Sequence, residues 1–300
     1  MLDKMLKIGY FADGPWAHRA FELIANDPTI KICFVVPRAD KPDKILIQLA
    51  NKHNITILLE QKINTESFLS IASSFNCDLF VSMSFNQIFR KKLMSLPKLK
   101  TINCHAGCLP YYRGRNILNW ALINDEKYFG ITVHYIDEGV DTGDIIKQKT
   151  FPITDNDNYC SLLNKAYLEC GPILYETIKE IQKGKVKSVM QSSIHSIGSF
   201  CGRRLPGDEI IDWNQNSRKI FNFIRALSSP GPIATTFLNG YEVKINKAIL
   251  VKDAPKYINI PGQILSKTEV GYYIKTQDDF IEVAEIQSKI KVRVGDRLGK

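Results

Sequence analysis

Three side chains between residues 99 and 146 have the types and spacing that one chemistry needs. Asn103 and His105 lie two apart in Thr-Ile-Asn-Cys-His, and Asp141 follows in the string Asp-Glu-Gly-Val-Asp-Thr-Gly-Asp that starts at Asp137. An amide can polarise a carbonyl, an imidazole can move a proton, and a carboxylate can orient the imidazole. No serine sits in a Gly-elbow motif, and no Walker-type Gly-rich phosphate loop is present. The pattern predicts direct acyl transfer with electrostatic stabilisation and without a covalent intermediate. Cys104, His105 and Cys108 form a superficial zinc motif, but no fourth ligand stands at a zinc-like spacing, so no metal is expected.

Such residues need a scaffold that converges them. Residues 101–104 read as a short apolar strand, which sends Asn103 and His105 out of the same face. Pro110 and Gly114 close a loop beneath them. Residues 131–136 (ITVHYI) form another strand, which delivers Asp141 into a turn rich in Gly and Asp. Upstream, apolar runs at 6–11, 30–36, 55–59 and 78–82 alternate with helical patterns at 16–25, 45–52 and 65–75, which predicts crossover units and a parallel sheet. Ligands on such sheets bind beyond the carboxyl ends of the strands, which directs attention to 82–88 and 99–146. Residues 159–183 carry Leu162, Ala166, Cys170, Ile173, Leu174, Ile178 and Ile181 at helical spacing, the signature of a core-facing stripe. After about residue 205 the pattern becomes one helix (217–227) and five short alternating runs at 234–238, 242–251, 262–266, 271–276 and 280–286, which suggests a small β-barrel or curled sheet.

Composition sets the outer limits. Of 300 residues, 44% are hydrophobic and 24% charged, which excludes disorder, a collagen-like fibre and a small disulfide scaffold. The 40 basic and 31 acidic side chains give +9, a balance that suits an anionic partner. Seven cysteines, an odd number in a long chain, point to reduced thiols in a cytoplasmic protein. The run MLDKMLKIGYFADG is too short for a signal peptide, and no stretch approaches the ~18 apolar residues of a membrane span. The histidines outside the cluster read differently: His18 and His53 fall on helices as surface residues, and His134 alternates with apolar neighbours as a core histidine. The run Arg90-Lys-Lys reads as a solvated helix end.

The string Asn-x-His-x-x-x-Leu-Pro-x-x-Arg-Gly, followed about thirty residues later by Asp-x-Gly-x-Asp-x-Gly, resembles the signature of the 10-formyltetrahydrofolate-dependent formyltransferases. That superfamily includes the glycinamide ribonucleotide, methionyl-tRNA and sugar N-formyltransferases. The resemblance covers essentially the whole chain. It implies an α/β fold: an N-terminal Rossmann-like parallel-sheet formyltransferase domain over 1–205, then a small OB-like β-barrel domain over 206–300. It also implies 10-formyltetrahydrofolate as co-substrate and Asn103, His105 and Asp141 as the catalytic set. The pterin is expected near Met83, Ser84, Phe85, Ile88, Leu109, Asp137, Gly139 and Val140, although Phe85 and Ile88 read equally well as loop packing. Two departures stand out: the family commonly has Ser where this chain has Gly107, and Leu where it has Cys108.

For the acceptor, the expectation is the amine of a nucleotide-linked amino sugar, with dTDP-4-amino-4,6-dideoxyglucose in O-antigen (lipopolysaccharide) synthesis foremost. The string Gly-Arg-Asn-Ile-Leu-Asn-Trp from Gly114 is similar to the UDP-4-amino-arabinose formyltransferases. Gly-Arg-Arg-Leu-Pro-Gly-Asp from Gly202 and Asp-Gly-Pro-Trp-Ala-His from Asp13 resemble sugar enzymes. The loop 37–44 is short and mixed in charge, where tRNA enzymes carry a basic insertion. Asp13, Trp16, Arg115, Phe200, Arg203 and Arg204 are the substrate candidates, with arginines for phosphates and aromatic faces for the base. A solvated basic turn and packed aromatics are the competing reading. No nucleic acid or membrane partner is expected, and analogy makes the C-terminal domain a candidate homodimer interface. The alternatives are methionyl-tRNA formylation and UDP-4-amino-arabinose formylation.

Overall fold

The first part of the chain alternates strand and helix: β1 (Leu6–Ala12), α1 (Pro15–Ala25), β2 (Ile30–Val36), α2 (Lys44–Lys52), β3 (Thr56–Ile57), α3 (Glu66–Ser74), β4 (Leu79–Met83), α4 (Lys91–Met94) and β5 (Thr101–His105). The computed structural model describes residues 5–299, so the first four residues of the N-terminal run lie outside the described residues. In β1 and β2 every residue but one is buried, and β4 is buried throughout, as strands covered on both faces must be. Pro15 stands in the first turn of α1, where its missing N–H costs nothing. The Asp43 carboxylate caps α2 by accepting from the N–H groups of Ile45 and Leu46 (2.8 and 2.9 Å), and the Thr65 hydroxyl caps α3.

There follow β6 (Arg113–Gly114), α5 (Ile117–Ile123), β7 (Tyr128–Tyr135), β8 (Ile145–Pro152), α6 (Tyr159–Gln182), α7 (Gln191–Ile194) and β9 (Phe200–Cys201). Seven strands form one sheet in the order β3-β2-β1-β4-β5-β7-β8. The first five of these run parallel, and β7 runs antiparallel to β5. The order reverses at β1, which has β2 on one side and β4 on the other; ligands bind such sheets at that point, beyond the strand ends. The third strand is shorter than the pattern at 55–59 predicts. It pairs with β2 only at Phe34↔Thr56 and Val35↔Ile57, at the edge of the sheet, where no second neighbour extends the ladder.

The chain forms two compact units: one holds residues up to Gly114, Phe129–Phe151 and Asn164–Cys201, the other Arg115–Tyr128, Pro152–Leu163 and residues from Gly202 on. In the first unit Phe11 is ringed by Phe34, Phe68, Phe80, Phe85 and Phe89 at centroid distances of 4.8 to 6.1 Å. Edge-on packing of this kind adds to the area that the rings bury. The second unit is built on α8 (Ser217–Leu227), β10 (Ala234–Leu238), β11 (Tyr241–Leu250), β12 (Ile264–Lys267), β13 (Gly271–Lys275) and β14 (Phe280–Ser288). Its five strands make an antiparallel sheet in the order β10-β11-β14-β13-β12. Ile220, Phe221, Ile224 and Leu227 of α8 share a core with Trp213, Val243, Ile245, Ile281 and Val283 of this unit. The fold is α/β, a mostly parallel sheet domain and a smaller antiparallel one, as the sequence pattern predicts.

His18 departs from its reading as a surface residue. It is half-buried, and its Nε2 lies 2.9 Å from the Asp43 carboxylate that caps α2. His53 is also half-buried, edge-on to Phe21 at 5.8 Å. Both departures follow from the packing of α1 on α2, which the sequence of either helix alone does not specify. Among the described residues no helix is long and apolar enough to cross a membrane.

Candidate active site

Asn103 and His105 project from the same face of β5 at its carboxyl end, and Cys104 between them points the other way, its thiol donating to the carbonyl of Cys170 (3.8 Å). The antiparallel register sets Asn103 opposite His134 and His105 opposite Thr132. His134 is therefore part of the cluster, at 2% exposure. Its Nδ1–H donates to the Tyr135 carbonyl (2.7 Å), so Nε2 is the acceptor, 3.2 Å from Asn103 Nδ2. The sequence reading as a core histidine captured the burial and missed the neighbours. Cross-strand partners share a face, but only the register names the partner.

The loop after β5 fixes His105. Nε2–H donates to the Tyr112 carbonyl (2.7 Å), which leaves Nδ1 to face Asp141 Oδ2 at 3.6 Å. Thr132 Oγ1 ties down the same loop by donating to the Gly107 carbonyl (2.6 Å). Gly107 itself packs so tightly that a Cβ there would lie 2.5 Å from His105 Nε2 and 2.6 Å from the Tyr112 oxygen. The departure from the family's usual Ser thus belongs to a loop closed down on the imidazole. Burial pushes the His105 imidazole below its usual range; the Asp141 charge and the Tyr112 carbonyl oppose this without reversing it.

Asp141 enters from the turn after β7, where the Asp137 carboxylate accepts from Gly139 N–H (3.1 Å) and Thr142 Oγ1 (2.6 Å). Its backbone lies in the left-handed region (φ +54°), as do those of Ser84 (+55°) and Tyr112 (+58°). Each such residue costs on the order of 1–3 kcal/mol unless its surroundings hold it there, and such strain gathers at functional sites. The Asp141 carboxylate accepts from Gly114 N–H (2.9 Å) and lies 3.5 Å from both Asn103 Nδ2 and His134 Nε2. Burial raises the carboxyl, but His105, His134 and the Gly114 N–H together outweigh it and hold Asp141 well below the usual carboxylate range. An anionic carboxylate therefore faces a neutral imidazole whose free nitrogen points at it. A proton taken up at Nδ1 gains that charge as its partner.

The remaining candidates fall into several places. Met83 ends β4 in the core, and Ser84 begins the loop that carries half-buried Phe85 and Ile88, 66% exposed. Phe85 packs on Phe11 and Phe89, so its side chain belongs to the core cluster. Leu109 is buried beneath the loop, with its carbonyl accepting from Gln148 (2.8 Å), whereas Asp137, Gly139 and Val140 are exposed. Asp13, after β1, accepts from the Asp43 N–H (3.2 Å), and Trp16 packs edge-on against Tyr167 at 4.7 Å. Phe200 is 59% exposed over the Arg113 guanidinium, 5.0 Å away. Arg115, Arg203 and Arg204 belong to the second unit. There Arg204 N–H donates to Asn116 Oδ1 (3.1 Å), while its Nε and Nη1 are buried without a hydrogen-bond partner. Among the described residues no group of three or more His, Cys, Asp or Glu side chains is arranged to hold a metal ion.

The model of the formyl transferase family matches residues 17–178, and that of the formyl transferase C-terminal domain matches 205–295. The chain is 37% identical over 246 residues to the methionyl-tRNA formyltransferase of Halalkalibacterium halodurans, covering 82% of this chain and 76% of that one. It is 30% identical over 320 residues to that of Halothermothrix orenii, covering 98% and 100%. Among solved structures, the sugar 3N-formyl transferase WlaRD, determined with dTDP and 5-N-formyl-THF, aligns with a TM-score of 0.68 at 25% identity over 96% of this chain and 99% of that one.

These relatives overturn the expectation of a nucleotide-linked amino sugar as acceptor. The strings that suggested it do structural work here. Asn119 donates to the Ala226 carbonyl (2.6 Å) where α5 packs on α8, and Trp120 Nε1 donates to the Gly202 carbonyl (3.2 Å). In the short loop 37–44, Arg38 pairs with Asp40 (2.7 Å) and Asp43 caps a helix. One fold serves enzymes with different acceptors, so side chains that hold the scaffold do not name the acceptor. By the match of its N-terminal half and by its relatives, the chain belongs to the formyl transferase family.

Proposed function

We propose that this protein transfers the formyl group of 10-formyltetrahydrofolate to the amine of methionyl-tRNA. The observation that carries the reading is the likeness to methionyl-tRNA formyltransferases over most of the chain, joined to the Asn103–His105–Asp141 cluster around a buried imidazole. The residues fit a folate: exposed Ile88 and Val140 offer apolar contact for a flat ring, and the exposed turn at Asp137 and Gly139 offers backbone groups. When bound, the folate supplies the formyl carbon. Asn103 Nδ2 stabilises the negative charge that develops on the formyl oxygen, and His105 adds positive charge beside it once it has taken up the amine proton. His105 Nδ1 receives the proton lost by the attacking amine while Asp141 holds the resulting cation, and the proton passes to the folate nitrogen as its bond to the formyl carbon breaks, which returns His105 to its neutral form. The excess of nine positive charges suits an acceptor with a phosphate backbone.

The test is incorporation of labelled formyl from 10-formyltetrahydrofolate into methionyl-tRNA by the purified protein. Turnover with methionyl-tRNA is expected. Failure to formylate it, with turnover of a nucleotide-linked amino sugar instead, would overturn the reading.

A further inference from the structure

Gln191, the first residue of α7, is 3% exposed, and both ends of its amide are bonded within the first unit. Its Nε2 donates to the carbonyls of Asp141 (2.8 Å) and Gly143 (2.7 Å). Its Oε1 accepts from Arg113 Nε (2.9 Å) and Nη2 (2.7 Å). Arg113 is itself buried, and its Nη1 donates to the Ile197 carbonyl (2.8 Å). The amide orientation is therefore determined. A flip would set N–H groups against the guanidinium and an oxygen against two carbonyls.

We propose that Gln191, oriented by Arg113, is a positioning residue that holds the Asp141 turn so that its carboxylate faces His105. The anchored carbonyl belongs to the residue whose backbone is in the left-handed region, and the second bond from Gln191 Nε2 holds the carbonyl of Gly143 two residues on. Arg113 also directly precedes Gly114, whose N–H binds the Asp141 carboxylate. The two residues of β6 thus grip Asp141 twice, through its backbone by way of Gln191 and at its side chain directly. Spacing in the sequence gives no hint of this, because Gln191 lies 50 positions from Asp141 and 78 from Arg113. The inference rests on the role of His105 and Asp141 in formyl transfer, and not on which amine accepts the group.

The test uses Gln191→Met, which removes the donors without adding charge. A second variant, Arg113→Lys, keeps a cation near Ile197 but loses the fork that orients Gln191. The first readout needs no substrate: the titration midpoint of His105, followed by NMR of histidine-labelled protein. His105 is flanked by Asp141, His134 and the Tyr112 carbonyl, and of these only Asp141 supplies negative charge that raises it. With the turn released, burial dominates, and the midpoint is expected to fall by roughly half a unit or more. In an Asp141→Asn background the same substitutions are expected to leave the midpoint unchanged, as a double-mutant cycle requires. Turnover should fall by about 10- to 100-fold with the KM for folate little changed, since a displacement near 1 Å can cost that much. Should Gln191→Met fail to fold, Arg113→Lys carries the same readouts. Folded variants with an unmoved His105 midpoint, or an equal movement without Asp141, would overturn the proposal. Failure of methionyl-tRNA as acceptor would leave the NMR result standing and so is separable from it.

Discussion

The substitution Asp141→Asn isolates the charge that faces His105. The amide occupies the same volume and can still accept from Gly114 N–H, which now lies 2.9 Å from the carboxylate. The lost quantity is the attraction between the carboxylate and an imidazolium whose Nδ1 is 3.6 Å away. At an effective dielectric of about 20, two unit charges at that separation attract by about 4–5 kcal/mol. If half to most of this attraction is realised as His105 takes up the amine proton, turnover falls by about 50- to 10³-fold, at roughly 1.4 kcal/mol per tenfold. The assay is the rate of labelled formyl transfer at saturating 10-formyltetrahydrofolate and methionyl-tRNA, measured from pH 5.5 to 9. The sign of the pH effect follows from the same geometry. His105 already lies below its usual range because it is buried, and Asp141 is what opposes that. Without the carboxylate His105 drops further, so the acid limb of the profile moves to lower pH while the plateau falls. A plateau within tenfold of the wild type, or an acid limb that moves upward, would refute the assignment of the charge pair.

Gly107→Ala is expected to lower turnover by at least tenfold while leaving the protein folded, because the added Cβ would stand 2.5 Å from His105 Nε2 and 2.6 Å from the Tyr112 carbonyl; near-normal kcat with unchanged thermal unfolding would contradict this. Asp27→Asn is expected to cost about 1–3 kcal/mol at neutral pH, since the carboxylate is buried against Lys179 Nζ (2.8 Å), Tyr175 Oη and Thr29. Burial raises the Asp27 carboxyl, but Lys179, Thr29 and Tyr175 outweigh it and hold it well below the usual range. Its contribution is therefore full above the unfolded value near ~4 and is lost as pH falls toward the folded one, so denaturant unfolding should show a shallower acid loss in the variant. The KM for methionyl-tRNA should rise steeply with salt, by about 0.9 in the log–log slope for each phosphate contacted, and the KM for folate should move far less; equal slopes would argue against a polynucleotide acceptor.

Much of the scaffold is legible from local pattern. β1, β2 and β4 are runs of apolar residues because both faces are covered, and α8 shows its core stripe because one face is. Departures appear where a neighbour decides. β3 shortens because it is an edge strand, and the direction of β7, antiparallel to β5, comes from strand pairing that the run at 131–136 does not specify. His134 reads as an ordinary core residue until the register sets it across from Asn103. The strings that resembled sugar enzymes include side chains spent on the scaffold, such as Asn119 and Trp120, so local likeness misled on the acceptor.

Residue types and spacing are enough to define the chemistry available: an amide and an imidazole two apart on one strand, and a carboxylate in a turn downstream. Period-two alternation fixes which face Asn103 and His105 share, so this much needs no partner. Their surroundings come from the folded chain. The tautomer of His105 follows from the Tyr112 carbonyl, the ionisation of Asp141 from two imidazoles and the Gly114 N–H, and the orientation of the turn from Gln191 and Arg113. These are contacts between segments far apart in the chain. They fall at a few ångströms only after the strands pair, and no periodicity in the sequence encodes that distance.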